Sequence, residues 1–310
     1  MINKMSSKGT RAILLGIALI MSLSSFARAK SVAVILPIVN DSVQSLQDGF
    51  LSALSNKGFN ALAVVYNLKE KDAATISGLV AAQKPDIVLA VGSEAANLLK
   101  SGLGAFPGVY TLVSNNAEFD SANETGISID IPAALRVEKI KSVLPNVKRV
   151  GVLYSPASES SFDEISAACK AAGLSAVGRQ VNNEAEFIPA VHDLMGGQAD
   201  CLMMILDTKI YFGQTVKTML LEGIKNKVPV IGISAVFTKA GALMSVDCDY
   251  HDVGRQAGEL GARILGGEKP SVVKSQRPRK AHYSLNTLVA NQLGISLSGT
   301  AVSGAAEAVR

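Results

Sequence analysis

Polar side chains gather at one kind of place in this sequence, the few residues that follow a short aliphatic run. In the first half these are Asn40, Asp41 and Ser42, then Ser93 and Glu94, then Ser114 and Asn115. In the second half they are Ser155, Glu159 and Ser160, then Asp207 and Thr208, Ser234 and Asp247. Hydroxyls, amides and carboxylates of this kind hydrogen-bond a small solute and offset a charge on it. For a zwitterion, Asp207 and Asp247 suit an ammonium group, and Ser93, Ser114 and Ser155 suit a carboxylate. Ring stacking is limited to Tyr66, Tyr154, Tyr211 and Phe237, since the chain has no Trp.

None of the strand-end positions holds His, Cys, Lys or Arg, so no catalytic residue is expected: acid–base and nucleophilic chemistry most often needs a His beside a Ser, Cys or carboxylate. Gly232-Ile-Ser-Ala-Val236 lacks the last glycine of a nucleophile elbow. The first aliphatic run ends in Pro37-Ile-Val-Asn40, with no glycine for a dinucleotide turn, and no phosphate loop occurs. His192 falls in a helical segment and His282 on a late strand, while His251 reads as a first-turn helix residue facing water. Asp247-Cys-Asp-Tyr-His251 is the one cluster of metal-ligand types. On a strand, Asp247 and Asp249 share a face while Cys248 points away, and the spacing fits no usual zinc pattern. Neither a metal nor another cofactor is expected.

These positions need a scaffold, and the aliphatic runs supply it. They cover residues 32–38, 61–66, 87–91, 108–113, 149–154, 175–180, 201–206, 229–233 and 242–246. As a group they are nearly continuous in apolar residues rather than alternating, as strands covered on both faces are. Amphipathic segments lie between them; the first has Val43, Leu46, Phe50 and Leu54 at helical spacing and Gly58 as its stop. The alternation predicts an α/β protein of two Rossmann-like lobes with parallel sheets. Residues 127–131 suit a crossing between the lobes, 246–249 a second, and a strand at 282–285 with a helix at 287–293 a third. The expected division is 30–128 with 247–278 for the first lobe and 129–246 with 279–297 for the second, followed by a flexible tail over 298–310.

The N-terminus carries Lys4, Lys8 and Arg11, then an apolar core over 12–23, then Ala27-Arg-Ala29. That core is short of the roughly 20 residues that span a bilayer, so 1–29 reads as a cleaved secretory signal peptide and the protein as periplasmic. The segment holds four cations, Lys4, Lys8, Arg11 and Arg28, and no acid; without it the formal +4 falls to zero. The only basic cluster left is Arg277-Pro-Arg-Lys280, so nucleic acid is not an expected partner. With 18% charged and 48% hydrophobic residues, the rest is globular rather than disordered. Cys169, Cys201 and Cys248 are widely spaced; one disulfide fits, a framework does not.

Several stretches resemble one family. They are Asn123-Glu-Thr-Gly-Ile127, the run from Leu144-Pro-Asn-Val to Leu153-Tyr154, Ala171-Ala-Gly-Leu174, Asp249-Tyr-His-Asp-Val-Gly-Arg-Gln-Ala-Gly258 and Gly267-Glu-Lys-Pro270. The family is the substrate-binding proteins of ABC transporters with the type I periplasmic-binding fold, in the branch that includes tryptophan and tyrosine binders. The resemblance spans nearly all of the chain after residue 29. It implies three crossings between the lobes, and Gly254 and Gly258 packing closely at the hinge. The first lobe departs from the pattern: Asn40-Asp-Ser-Val-Gln44 stands where His-Pro-x-Leu-Asp is usual, and Ser114-Asn-Asn-Ala-Glu118 where Asp-Pro-Val is usual. In the second lobe Asp207-Thr208 stands in the family's Thr-Asp-Asn loop, and Glu159 near the acid that follows its Tyr-Asn-Pro.

The expected function is therefore capture of a small polar or amphipathic ligand, an amino acid among them, for an ABC permease in the inner membrane, by a monomer. The alternative is a sensory binding protein that presents its ligand to a membrane receptor kinase.

Overall fold

A computed structural model describes residues 29–309, so the expected leader lies outside the described residues apart from Ala29. The chain forms two sheets. The first contains β1 (Lys30–Leu36), β2 (Ala61–Asn67), β3 (Ile87–Val91), β4 (Gly108–Val113) and β5 (Glu124–Ser128), all parallel in the order β2-β1-β3-β4-β5. Its helices are α1 (Asp41–Asn56), α2 (Ala73–Gln83), α3 (Gly92–Gly102) and α4 (Asn116–Phe119).

The second sheet contains β6 (Arg149–Tyr154), β7 (Ser175–Gln180), β8 (Cys201–Met203), β9 (Val230–Gly232), β10 (Met244–Cys248), β11 (Ala281–Asn286) and β12 (Glu307–Val309). Their order is β12-β11-β10-β9-β8-β6-β7, and β11 alone runs against its neighbour β10, with Asp247 opposite His282. The helices here are α5 (Ala133–Val143), α6 (Glu159–Ala171), α7 (Glu184–Asp193), α8 (Gly213–Lys225), α9 (Ala235–Ala240), α10 (Tyr250–Leu265), α11 (Thr287–Leu293) and α12 (Gly299–Ser303).

The unbroken apolar strands follow from burial on both faces. On β1, Val32, Val34 and Leu36 meet Leu46 and Phe50 of α1, while Ala33 and Ile35 share the opposite core with Ile76, Val80 and Leu99. Asn40 caps α1 by accepting from the Val43 N–H at 3.0 Å, and beyond the helix Gly58 takes φ 84°, as a stop residue should.

The chain passes between the sheets three times. After β5 it runs through Ile129-Asp130-Ile131-Pro132 into α5; the crossing expected over 127–131 begins two residues later, because Ile127 and Ser128 still pair with β4. After β10, α10 returns to lie on α1. Here the helices touch through their backbones, since a Cβ at Gly254 would sit 1.9 Å from the Leu46 carbonyl oxygen and one at Gly49 2.1 Å from that of His251. The glycines of the Tyr250–Gly258 stretch thus serve close packing inside the first lobe rather than at the hinge. The third passage, ending at Lys280, runs first along β5, where the Ser128 N–H donates to the Gln276 carbonyl and the Gln276 N–H to the Gly126 carbonyl, and then enters β11.

Residues 298–309, read from sequence as a flexible tail, carry α12 and β12. Ser298 accepts from the Ala301 N–H at 3.1 Å, the Tyr283 hydroxyl donates to the Ala301 carbonyl at 2.8 Å, and β12 pairs with β11. A small polar composition conceals this because the stabilising partners lie on β11, about twenty residues earlier in the chain.

Candidate functional site

In open α/β sheets ligands bind beyond the carboxyl ends of the parallel strands, and the chain makes its first two crossings from those ends, after β5 and after β10. On the second lobe these loops are tied together. Asp207, 7% exposed, receives the Ser155 N–H on Oδ2 at 3.0 Å, the Ser158 hydroxyl on the same oxygen, and the Lys209 N–H on Oδ1 at 2.9 Å. Burial pushes its carboxyl up, yet the hydrogen bonds from Ser158, Ser155 and Lys209 outweigh burial and hold it below the usual carboxylate range. Asp207 is therefore a staple between the loops after β6 and β8. Its oxygens are largely spent.

Asp247 is equally buried and accepts from the Cys248 N–H at 2.8 Å. Burial raises its carboxyl, with the Cys248 N–H and His282 pulling the other way. Ser234 stands half-buried at the N-terminus of α9 without a capping side-chain bond, and Thr208, Glu159 and Ser160 are exposed beside the stapled loops. The metal-type cluster disperses: Cys248 enters the core, Asp249 caps α10 by accepting from the Asp252 N–H, and His251 faces out.

The first lobe is built differently. Asn40, Asp41, Ser42, Ser93, Glu94, Ser114 and Asn115 are all exposed. Asn40 and Asn115 cap α1 and α4, each accepting one backbone N–H at 3.0 Å. Ser93 and Glu94 lie in the first turn of α3 rather than in a loop, because Gly92 at φ 83° lets the chain pass directly from β3 into the helix. Leu112 adopts φ 56° where the pairing with β5 slips, and this bulge redirects the chain just before Ser114 and Asn115. Among the described residues, no hydrogen bond joins a first-lobe candidate to a second-lobe one.

Below the first crossing is a cavity of about 50 Å³. Ile129, Ile131, Leu206, Ile233 and Val246 give it apolar walls, and Asp130 and Arg136 its charge. Arg136, 7% exposed in the first turns of α5, donates to the Met204 carbonyl just past β8. Burial pushes its guanidinium down to about 10, opposed by Asp130, so it stays charged at neutral pH. The strand-end rule passed over Arg136. It sits on a helix, and only the path of the first crossing brings it over β8.

The model of the family described as ABC transporter substrate binding protein matches residues 31–309. The chain belongs to that family. A tyrosine-binding protein of Clostridioides difficile (strain R20291) is 22% identical over 258 residues, 78% of this chain and 74% of the relative. Two solved structures share the fold, each covering 91% of this chain and 100% of its own. One is the ligand-free, open structure of a substrate binding protein with adhesive properties from Clostridium difficile (20% identity, TM-score 0.71). The other is an ABC domain from Streptococcus pneumonia in complex with L-Trp (23% identity, TM-score 0.59). The family is one of solute-binding proteins, not enzymes.

In this substrate-binding protein the aromatic residues expected to stack on a ligand are mostly engaged. Tyr154 stacks on Phe162 at 4.6 Å between centroids, Tyr211 meets Phe187 edge-on and donates to the Leu153 carbonyl, and Tyr66 donates to Gln83. Phe237 packs over Gly232. Aliphatic side chains take over the exposed role: Ile38 and Val39 after β1, Leu206 after β8 and Val236 on α9. The basic cluster binds the crossings. Arg277 pairs with Asp130 at 2.8 Å and Glu164 at 2.9 Å, while Arg279 pairs with Asp252 and Glu259 of α10, each at 2.8 Å. The three cysteines are buried and free.

Proposed function

We propose that this substrate-binding protein captures a small amphipathic solute between its lobes, an amino acid with an apolar side chain, and delivers it to an ABC permease in the inner membrane. It works in the periplasm after loss of residues 1–29. The first lobe is taken as 30–128 with 247–278 and the second as 129–246 with 279–297, to which 298–309 are joined.

One observation carries the reading: in a chain of this family, polar caps and exposed aliphatic side chains stand together at the strand ends of both sheets. On the first sheet these are Asn40, Ser93, Glu94, Ser114 and Asn115 with Ile38 and Val39. On the second they are Ser155, Glu159, Ser160, Thr208 and Ser234 with Leu206 and Val236. A tyrosine-binding relative and a tryptophan-bound neighbour support an aromatic amino acid as the first ligand to try.

A thermal-shift screen of the protein starting at Lys30, against the twenty amino acids, sugars and nucleosides, tests the reading. A ligand at a hundred times its dissociation constant adds about 2.7 kcal/mol, a shift of roughly 5–10 °C. The expected result is a shift with one or more apolar amino acids, and a smaller radius of gyration in solution scattering when that ligand saturates. Shifts confined to sugars or nucleosides remove the amino-acid reading.

A further inference from the structure

The charges expected to receive a zwitterion have been redistributed in the fold. Asp207 spends its oxygens on Ser155, Ser158 and Lys209, and Asp247 is buried against the Cys248 N–H. Asp207 therefore has neither oxygen free for an ammonium group, and Asp247 does not line the hinge cavity described above. Arg136 presents the opposite situation. Its one hydrogen bond goes to the Met204 carbonyl, although a guanidinium has five N–H donors. Among the described residues it forms no ion pair: the neighbouring Asp130 is taken by Arg277, as is Glu164 on α6. A buried guanidinium without a carboxylate partner is costly to keep, and here it borders a cavity at the hinge.

That cavity, about 50 Å³, is several times the roughly 10–15 Å³ one water needs, which leaves room for a group of three heavy atoms. Its walls are aliphatic apart from Arg136 and Asp130, and Asp130 is paired with Arg277, so an anion entering it meets the guanidinium fork among apolar side chains. Leu206 closes one wall and is 41% exposed, so it continues the apolar surface out into the cleft. The site is shaped for an anionic end beneath an apolar body.

We infer that Arg136 holds the carboxylate of the ligand in the hinge cavity, and that this carboxylate rather than an ammonium group anchors binding. The inference rests on the reading of an amino-acid ligand between the lobes and deepens it: the ligand class is an apolar carboxylate, with the ammonium group secondary. Arg136 is then a specificity-determining residue, and its bond to Met204 aims the fork.

The test is a calorimetric series on the wild-type protein with L-tryptophan, tryptamine, which lacks the carboxylate, and indole-3-propanoate, which lacks the ammonium group; L-tyrosine, tyramine and 3-(4-hydroxyphenyl)propanoate form a second series. Loss of the carboxylate is expected to weaken binding about 30-fold or more, and loss of the ammonium group by less than tenfold. Arg136→Met should reduce the preference for acid over amine to within about threefold, whereas Arg136→Lys keeps a weakened preference. Melting curves identify a variant that fails to fold, and in that case the wild-type series and Arg136→Lys decide.

If tryptophan binds but tryptamine matches or exceeds indole-3-propanoate, the inference falls and the amino-acid reading stands. An undiminished acid preference in folded Arg136→Met also overturns it, leaving Arg136 as a brace for Met204. If the propanoates bind and the amino acids do not, the inference holds and the amino-acid reading falls. No binding by any member of either series overturns both.

Discussion

The two lobes present the same kind of strand-end side chains in opposite states. On the second lobe, Ser155, Ser158 and Asp207 are buried and hydrogen-bonded to one another across two loops. On the first, Asn40, Ser93, Glu94, Ser114 and Asn115 are exposed, and their bonds are at most local caps. The strand-end groups of the second lobe are fixed by one another, and those of the first are left in water. Preorganisation lowers the ordering cost of binding, so affinity should reside in the second lobe and the hinge, with the first lobe supplying closure and selectivity.

The strongest way to break this comparison is to disturb the first lobe where it is rigid. Its order comes from the α1–α10 contact rather than from its loops, and Gly254→Ala puts a methyl group 1.9 Å from the Leu46 carbonyl oxygen. The expected cost is about 3 kcal/mol or more, a melting temperature lower by roughly 6 °C or more. A melt within about 2 °C of wild type would show that the helices separate easily and that the first lobe is loose throughout.

Next in size is the staple itself. Asp207→Ala leaves the N–H groups of Ser155 and Lys209 and the Ser158 hydroxyl without their acceptor, at about 2 kcal/mol in denaturant unfolding. The pH dependence adds a sign. The Asp207 carboxyl is held low in the folded state, so its contribution is complete above the unfolded value near 4 and is lost as pH falls through the folded value. The Asp247 carboxyl is raised by burial, so its charge weakens the fold above its raised value, and the penalty disappears as pH falls towards about 4. Stability differences from wild type measured across acidic pH for Asp207→Asn and Asp247→Asn should therefore slope in opposite directions. Parallel slopes would mean that the two buried carboxylates share one environment.

The smallest effect sharpens the contrast. Glu94→Gln changes an exposed side chain in the first turn of α3 and should leave the melt within about 0.5 kcal/mol of wild type. Ligand affinity should fall by several-fold at most, in keeping with a lobe that adds selectivity. A loss beyond about tenfold in affinity would place the stronger ligand contacts on the first lobe.

Much of this was legible in the chain. The runs at 87–91, 108–113, 149–154 and 175–180 became β3, β4, β6 and β7 with the same bounds; the first three are buried along most of their length, as covered strands must be, while β7 is a half-exposed edge strand that carries Arg179 and Gln180. The run at 201–206 became only the three residues of β8: Met204 still donates its N–H to the Ile231 carbonyl of β9 at 2.9 Å, and Ile205 and Leu206, though apolar, run on into the loop that reaches Asp207. Composition registers burial, and pairing is decided by neighbours. The same limit governs Asp207: the sequence puts it after an aliphatic run, but its bonds to Ser155 and Ser158 join residues 52 and 49 positions apart.

The sequence by itself determined the alternation of strands and helices, the two-lobe α/β architecture and the kinds of side chain at the strand ends, because each depends on local periodicity and on which residues tolerate burial. Only the tertiary structure decided which of those side chains are spent on one another and which stay open. It also decided that Arg136, a helical residue with no strand-end signal, comes to lie unpaired over β8. Those outcomes depend on the geometry of the crossings and on long-range pairing, where a carboxylate with three donors and a guanidinium with none of the nearby acids have opposite consequences although both are buried.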